Sequence, residues 1–443
     1  MKFLTLIVAI VMMAAVLPCA ARSEEIKPVS LPAAPPQFLN YEDAVRLALH
    51  DNVDLLALRN QEAALKNQSK QALAPNNPVL SWSKVDVPGF SLSQEPAETS
   101  YSLSWTLGFP GKAFSQSSSV RHQAEAAEQN ALNQEIGLMN NLSNNYVAFA
   151  TNLAFYNFLL DEQKKDRDLK RLLEKKFSAS QAAKVDLLNA EVTTQQIAQG
   201  ILSNRNDYAI LLTQFRQIVR RPEDFSLFPK IPDKISVPIV KQSFEALVPL
   251  MLKNNHSVSA AERQLDGTNA LLNSARLQAF PDFQLSAGIN KWKPASAPNQ
   301  GVTRDYTIGI GVALPIFFPF NELTGIHAAE QNRAAAENQL SSQQLQAVSA
   351  MQTAYTSLQA TLKDLEASEK LVVPAAKAAY DLTLLTYSLG KADYFMLNQS
   401  RKTWHDSMRD MLTKRQAAAQ IYNQLIAQMG CDIAKTEGPY VCQ

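Results

Sequence analysis

"YSLSWTLGFPG", residues 101–111, alternates without a slip: Tyr101, Leu103, Trp105, Leu107 and Phe109 are large and apolar, whereas Ser102, Ser104, Thr106 and Gly108 are small or polar. A period of two sends the first set to one face of a β-sheet and the second set to the other. Five bulky groups on one face require an apolar medium, either a protein core or a lipid bilayer. The rest of the sequence decides between them.

The chain has 443 residues, 46% hydrophobic and 19% charged, a folded composition with room for two or three ordinary domains. Its 42 Lys and Arg nearly cancel 41 Asp and Glu, so there is no broad positive field and nucleic acid is not an expected partner. None of the 14 glycines sits in a phosphate-cradling pattern, and "GFPGK" lacks the spacing of a P-loop.

The opening "MKFLTLIVAIVMMAAVLPCAARSEE" has Lys2, an apolar run from Phe3 to about Leu17, and small residues before Arg22. It reads as a secretory signal peptide over residues 1–21, with Cys19-Ala20-Ala21 as the small-x-small cleavage site. Lipidation at Cys19 is the rival reading, disfavoured by Pro18, which stands where lipoprotein signals want Gly, Ala or Ser. Beyond the signal no apolar run approaches the ~20 residues of a spanning helix. Cleavage after Ala21 leaves Cys431 and Cys442 as an even pair in an oxidising compartment, so a disulfide closing the C-terminal tail is expected; two unpaired thiols are the alternative.

The chain is written twice. "YEDAVRLALHDN" from Tyr41 matches "FEALVPLMLKNN" from Phe244, and "SYSLSWTLGFP" matches "DYTIGIGVALP", with Tyr101 on Tyr306 and Pro110 on Pro315. Further on, Ile136, Met139, Leu142, Tyr146, Phe149, Leu153 and Tyr156 fall on Leu345, Val348, Met351, Tyr355, Leu358, Leu362 and Leu365. Steps of three and four residues are those of a coiled-coil seam. Long helices are therefore expected from about Ala113 to Ser178 and from about Leu323 to Leu389, with return helices to about Val219 and Met429. A helix of that length is roughly 100 Å long, a reach that no compact domain needs. Pro374 should kink the second one.

Each repeat then reads helix, strand pair, long helix, return helix. Strands are expected at about 79–86, 100–109, 283–291 and 305–314. Repeat 1 covers 39–225 and repeat 2 covers 243–430; a Pro-rich segment at 22–38, a linker at 226–242 and a tail at 431–443 complete the chain. In the second strand pair Phe283, Leu285, Ala287 and Ile289, then Ile308, Ile310, Val312 and Leu314, continue the alternation. About ten residues is the length of a tilted membrane-barrel strand, apolar outward and polar toward the lumen. The lipid-facing set would include Leu103, Trp105, Leu107, Ile308, Ile310 and Val312, with Trp82, Trp105, Tyr101, Trp292 and Tyr306 as aromatic belts. The loops "VPGFSLSQEPAE" and "WKPASAPNQGV" are polar, as exposed loops should be. Four strands cannot close a useful barrel, and open strand edges do not exist in lipid, so several copies must share one.

The duplicated pattern, with the "YEDAVRLALHDN" opening, Pro78 and Pro281 ahead of the strands, the strand ending "LGFPG", and "VDLLNAE" and "YSLGKADYFMLNQS" at the helix turns, resembles the TolC-like outer-membrane efflux proteins from about Leu39 to Gly430. The resemblance implies a mainly α fold with a small membrane β-barrel: a homotrimer with a 12-stranded barrel in outer-membrane lipid and a coiled-coil tunnel in the periplasm. It implies the outer-membrane channel of a tripartite efflux or type I secretion system, a passive exit duct docking on a periplasmic adaptor and an inner-membrane pump of RND or ABC type. A non-porating periplasmic coiled-coil protein is the alternative, against which the four alternating strands speak.

No enzyme is expected, nor any cofactor or metal: His50, His122, His256, His327 and His405 are scattered without ligand spacing and read as helix-surface residues. In the family the periplasmic entrance lies at the helical turn matching "GKADYFMLNQS", where members often carry acids in a Gly-then-"DxLD" arrangement. Here Phe395 and Asn398 occupy the matching places, and the nearest acid is Asp393, which also suits the N-cap of the return helix. The entrance candidates are Lys391, Asp393, Phe395 and Asn398. Lys184, Asp186 and Gly390 are the cap or adaptor-facing candidates. The Pro-rich "IKPVSLPAAPPQF" and "SLFPKIPDKISVPIV" either wrap the tunnel, as comparable family segments do, or are free linkers.

Overall fold

A computed structural model of the chain describes residues 36–85, 98–232, 237–292, 302–314 and 316–431. The expected signal peptide, Cys19, most of the N-terminal Pro-rich segment, most of both strand-linking loops and Cys442 lie outside the described residues.

The element order carries the duplication. In the first half come β1 (Gln37–Leu39), α1 (Tyr41–Asp51), α2 (Val53–Ala72), β2 (Val79–Val85), β3 (Glu98–Leu107), α3 (Lys112–Ser178) and α4 (Lys184–Ile218). The second half has β4 (Leu227–Pro229), α5 (Phe244–Asn254), α6 (His256–Gln278), β5 (Asp282–Trp292), β6 (Thr303–Ala313), α7 (Glu322–Ala367), a π-helical turn (Ser368–Val372), α8 (Val373–Ser388) and α9 (Tyr394–Gln428). The long helices begin and end within a residue or so of the expected limits. Each opening helix, however, is two helices. Asn52 and Asn255, matched positions of the two repeats, cap α2 and α6 by accepting N–H bonds from Leu55 (3.0 Å) and from Ser257 and Val258 (3.0 and 3.1 Å).

Tyrosine hydroxyls repeat the same device in both halves. Tyr146 donates to the carbonyl of Leu39 (2.8 Å), and its counterpart Tyr355 donates to that of Gln242 (3.1 Å). Each bond pins the residue two positions ahead of the repeat's opening helix onto the long helix. Around them lie two matching cores. One holds Ile136, Met139, Leu142, Tyr146, Phe149 and Phe215; the other holds Met351, Leu358, Tyr422, Leu425 and Ile426. The coiled-coil register holds at most positions, Ile136 and Leu365 included, and fails at Leu345 and Leu153, which are 72% and 37% exposed.

α3 runs 67 residues unbroken, about 100 Å. Its counterpart is interrupted by the π turn, where Val373 N–H bonds to the carbonyl of Ser368 immediately before Pro374. Pro374 has no N–H and crowds the carbonyl four residues back, so the helix widens by one residue there instead of breaking. The linker is not free at its start: β4 pairs in parallel with β1, and Leu227 is buried in the first core. Val240, near its end, is buried in the second.

β2-β3-β5-β6 form one antiparallel sheet. Its register aligns Leu80–Leu103–Ala287–Ile308, Trp82–Tyr101–Ile289–Tyr306, Trp105–Leu285–Ile310 and Leu107–Phe283–Val312 as rows on one face. Ser81–Ser102–Gly288–Thr307, Ser104–Ser286–Gly309 and Thr106–Gln284–Gly311 form rows on the other. Trp292 departs from the expected belt. It shares the polar face with Asn290, and its indole N–H donates to Asp305 (2.8 Å).

The second repeat closes on itself at Gly430, just past α9, where φ is +70° and an added Cβ would lie 2.1 Å from the Asn254 carbonyl oxygen at the α5–α6 junction. Asn255 donates from the same junction to the Gln428 carbonyl (2.7 Å). Gly430→Ala is therefore expected to destabilise the protein by roughly 1–3 kcal/mol. Gly137→Ala and Gly325→Ala, whose added methyls meet nothing within 4 Å, should leave stability unchanged. The heat-dissociation midpoints of the three extracted variants test this, and an unaltered midpoint for Gly430→Ala would contradict the close approach.

Candidate functional site

Two places carry chemistry beyond helix packing: the helical hairpins at the end remote from the sheet, and the sheet itself. At the hairpin end, α3 and α4 turn at residues 179–183, and α8 and α9 turn at residues 389–393. Gly390 takes φ +75°, a left-handed turn that suits glycine. Asp393 is the N-cap of α9, its carboxylate accepting the Met396 N–H at 2.8 Å. Asp186 likewise accepts the Ala183 N–H (3.3 Å) at the start of α4. Lys184 and Lys391 are exposed, and Phe395 is 75% exposed beside an exposed Met396.

Asn398 faces inward. Its side-chain oxygen accepts from Arg401 Nη2 (3.3 Å), and Arg401 Nη1 donates to Asp166 Oδ1 at 2.6 Å, with both ionic side chains under a tenth exposed. Thr194 donates to the second oxygen, Asp166 Oδ2, at 2.6 Å. One buried carboxylate thereby ties α3 to α4 through Thr194 and to α9 through Arg401. Glu162, one turn earlier, is also buried; burial pushes its carboxyl up, opposed by the positive charges of Lys165 and Arg401.

Aromatic rings enclose this cluster. Trp404 stacks on Tyr380 (5.2 Å) and meets Phe158 edge-on (5.3 Å), with Lys165 Nζ 4.5 Å from the indole centre. Burial raises the Tyr380 hydroxyl to about 12. His405 is no surface residue. It packs against Phe155 and Phe158, and burial lowers its pKa. Among the described residues, Trp404 Nε1 and the Tyr387 hydroxyl are buried without a hydrogen-bond partner.

The Asp166–Arg401 pair does not stand out by sequence proximity, since 235 residues separate its members. A signal exists nonetheless. Arg401 sits in the seam Tyr394, Leu397, Arg401, Trp404, and Glu162 and Asp166 sit in the seam Leu159, Glu162, Asp166, Leu169, Leu173. A cation on one apolar seam and acids on another are an ion pair waiting to be matched.

Between α3, α6 and α9 a cavity of about 700 Å³ is lined by the amides of Asn133, Gln134, Asn140, Asn144, Gln420 and Gln424, and no ionisable group borders it. Among the described residues no group of His, Cys, Asp or Glu is arranged to hold a metal ion. Cys431 is disulfide-bonded, and its expected partner Cys442 lies outside the described residues.

The sheet presents its apolar rows to the outside of the chain. Leu80, Ile308 and Ile310 are each more than three-quarters exposed, and among the described residues none of the core clusters includes a residue of this sheet. At its base Phe109 stacks on Phe280 (4.6 Å), and Trp105 Nε1 donates to the Asn76 carbonyl (2.6 Å).

Known proteins share this architecture. The family model described as outer membrane efflux protein matches residues 247–431. Nodulation protein T of Rhizobium leguminosarum bv. trifolii is 21% identical over 337 residues, covering 74% of this chain and 70% of its own. The solved structure of CusC superposes with a TM-score of 0.74 at 16% identity, covering 91% of this chain and 96% of the other. The outer membrane protein VceC of Vibrio cholerae gives 0.71 at 17% over 90% and 97%, and the open-state MtrE channel of Neisseria gonorrhoeae gives 0.73 at 16% over 91% of each chain. Its second repeat is matched by the model of the outer membrane efflux proteins, and along nearly its whole length the chain shares the fold of TolC-like outer-membrane channels with a periplasmic helical tunnel.

Proposed function

We propose that three copies of the chain assemble into one duct, with their four-stranded sheets closing a 12-stranded barrel in the outer membrane and their helices forming a tunnel that docks on a periplasmic adaptor and an inner-membrane pump. The observation that carries this reading is the uncovered apolar face of the sheet. Its rows match in width and alternation what lipid requires, and β2 and β6 have free edges that only further copies can pair. The helices supply a second argument for self-assembly. Val185, Leu188 and Val192 form an exposed stripe at helical spacing on α4, and Leu382, Leu385 and Leu389 form another on α8, each residue more than half exposed in the single chain. Transport through the duct is passive, driven by the pump, and the chain's own residues contribute a neutral amide lining and a closable end. A pore-free coiled-coil protein would gain nothing from an uncovered apolar sheet.

In this reading the hairpin end is the periplasmic entrance, and Asp166–Arg401 is the latch that holds α9 against α3 and α4. Two terms oppose one another there. The buried pair, once formed, is costly to break from one side, about 3–5 kcal/mol. The partnerless Trp404 N–H and Tyr387 hydroxyl each cost about 1–3 kcal/mol in the packed arrangement. The balance leaves a packed end that a modest input can release. Phe395 and Met396, exposed on each copy, are the side chains that meet around the axis, and Lys391, Asp393 and Gly390 shape the turn that presents them.

Two predictions test these assignments. Ile310→Arg or Leu103→Arg places a cation on the lipid face at a cost of roughly 2–4 kcal/mol and should lower the yield of membrane-extracted trimer, whereas Ser104→Arg on the lumen face should be milder. Equal yields for all three would refute the barrel. For the entrance, Asp166→Asn and Arg401→Gln should each raise the resting conductance of single channels in planar bilayers, and Phe395→Ala should do so to a smaller extent. Asp393→Asn should change ion selectivity only modestly, because Asp393 is spent on capping α9. A closed Arg401→Gln channel with an open Asp393→Asn channel would mean that the turn's charge, not the buried latch, holds the end.

A further inference from the structure

On the outward face of the sheet, the apolar rows end abruptly. Beyond Trp82–Tyr101–Ile289–Tyr306 the next row is Lys84–Thr99–Lys291–Arg304. The polar face has the opposite sign at this level, with Asp305 in the row Ser83–Ser100–Asn290–Asp305 and Glu98 in the row after it. We infer that Lys84, Lys291 and Arg304 bind the phosphate groups of a phosphorylated lipid in the outer leaflet of the membrane, an inference that rests on the sheet being the membrane-spanning part.

The row lies at the right height. The strands leave the helices at Val79 and Leu107, so this row is at the end of the sheet remote from the tunnel, the extracellular end. From Leu314 up to Tyr306 the outward residues rise about 27 Å along the strand at roughly 3.4 Å per residue, or about 20 Å along the membrane normal at a tilt near 40°. Two residues further, Arg304 stands where hydrocarbon gives way to headgroups. Aromatic rings mark the same boundary, and the cations rest on them: Lys84 Nζ is 5.5 Å from the Trp82 ring centre and Lys291 Nζ 5.4 Å from that of Tyr101.

The opposed pair Lys291 and Arg304 also favours an anion. Lys291 and Arg304 are directly opposed across β5 and β6, and like charges in opposed positions destabilise a sheet pair unless a counter-charge lies between them. Lys84 stands two strands away across Thr99, about 10 Å at the usual strand spacing. Three cations on a line suit a headgroup carrying more than one phosphate, with the Arg304 guanidinium able to grip one phosphate through two parallel bonds. In the closed barrel each copy contributes one such row, so the extracellular rim carries a basic collar with acids on its lumen side.

The test uses full-length trimer reconstituted in phosphatidylcholine vesicles doped with bis-phosphorylated lipid A, re-extracted in detergent and analysed by native mass spectrometry. Wild type should retain the phosphorylated lipid and discard its dephosphorylated form. The triple variant Lys84→Gln, Lys291→Gln, Arg304→Gln should retain at least tenfold less, while Glu98→Gln with Asp305→Asn on the lumen face should retain as much as wild type. If the triple variant fails to assemble, Lys291→Gln and Arg304→Gln singly should each lower retention about threefold. Wild-type retention by these variants, or equal retention of the dephosphorylated lipid, overturns the inference. Displacement of the lipid by excess inorganic phosphate alone also overturns it, since the site would then serve a free anion. Single-channel conductance of the same wild-type preparation reports separately on the duct: lipid selectivity lost with conductance intact sinks only the collar, whereas absent conductance sinks the channel reading.

Discussion

The apolar face of the four-stranded sheet is the constraint from which the rest of the architecture follows. Nothing among the described residues covers it, and a sheet with one naked apolar face and two naked edges has no stable existence in water or in lipid as a single copy. In the proposed assembly lipid satisfies the face. Other copies satisfy the edges there, and the shared barrel holds their helices side by side at its base. Phe109 stacked on Phe280 and Trp105 bonded to the Asn76 carbonyl fix where each helix leaves the sheet. The exposed stripes on α4 and α8 then face neighbours instead of water.

Duplication solves the geometric problem that this creates. A ring of long helices under a barrel needs strands and helices delivered at regular angles, and two copies of one unit per chain deliver them. Tyr146 and Tyr355 show how faithfully the unit was reused, since each pins the residue two places before its own opening helix. The departures from symmetry that bear on the ends of the long helices lie toward the hairpins. Pro374 forces the π turn, the second repeat carries Arg401 in its seam, and the first carries Glu162 and Asp166. The asymmetric elements are therefore those at and toward the hairpin end, where two repeats that were interchangeable at the barrel take different parts.

The sequence reveals those features that have a period. Alternation over residues 101–111 gives the strand faces, and steps of three and four give the helices to within a residue or so. Two kinds of feature escape. The split of each opening helix depends on Asn52 and Asn255 acting as caps in mid-pattern, and an Asn among helix formers looks like any solvated residue until its side chain is seen to accept the next helix's N–H groups. Pairs far apart in the chain escape as well. Reading the turn "GKADYFMLNQS" for charges leads to Asp393, which is a cap, and Asn398 matters because it orients Arg401 toward a carboxylate 235 residues away. By residue type Trp292 belongs among the belts, but its parity puts it on the polar face, where its N–H finds Asp305.

A buried ion pair is a poor source of net stability but a strong means of specifying one arrangement over others. In the seam around Trp404 an apolar pair of the same volume would pack α9 against α3 in several neighbouring registers, whereas Arg401 reaching Asp166 at 2.6 Å, with Thr194 on the other oxygen, admits one. In the proposed duct that property suits an entrance that returns to one closed position after each opening. It also localises the consequence of opening. Rotating α9 away must strip Asp166 of its guanidinium while Glu162, its carboxyl already pushed up by burial, can accept a proton more readily than an exposed acid. The seam therefore ties the position of α9 to specific polar partners, Asp166 and Thr194 on one side and Arg401 on the other, and not to apolar contact alone.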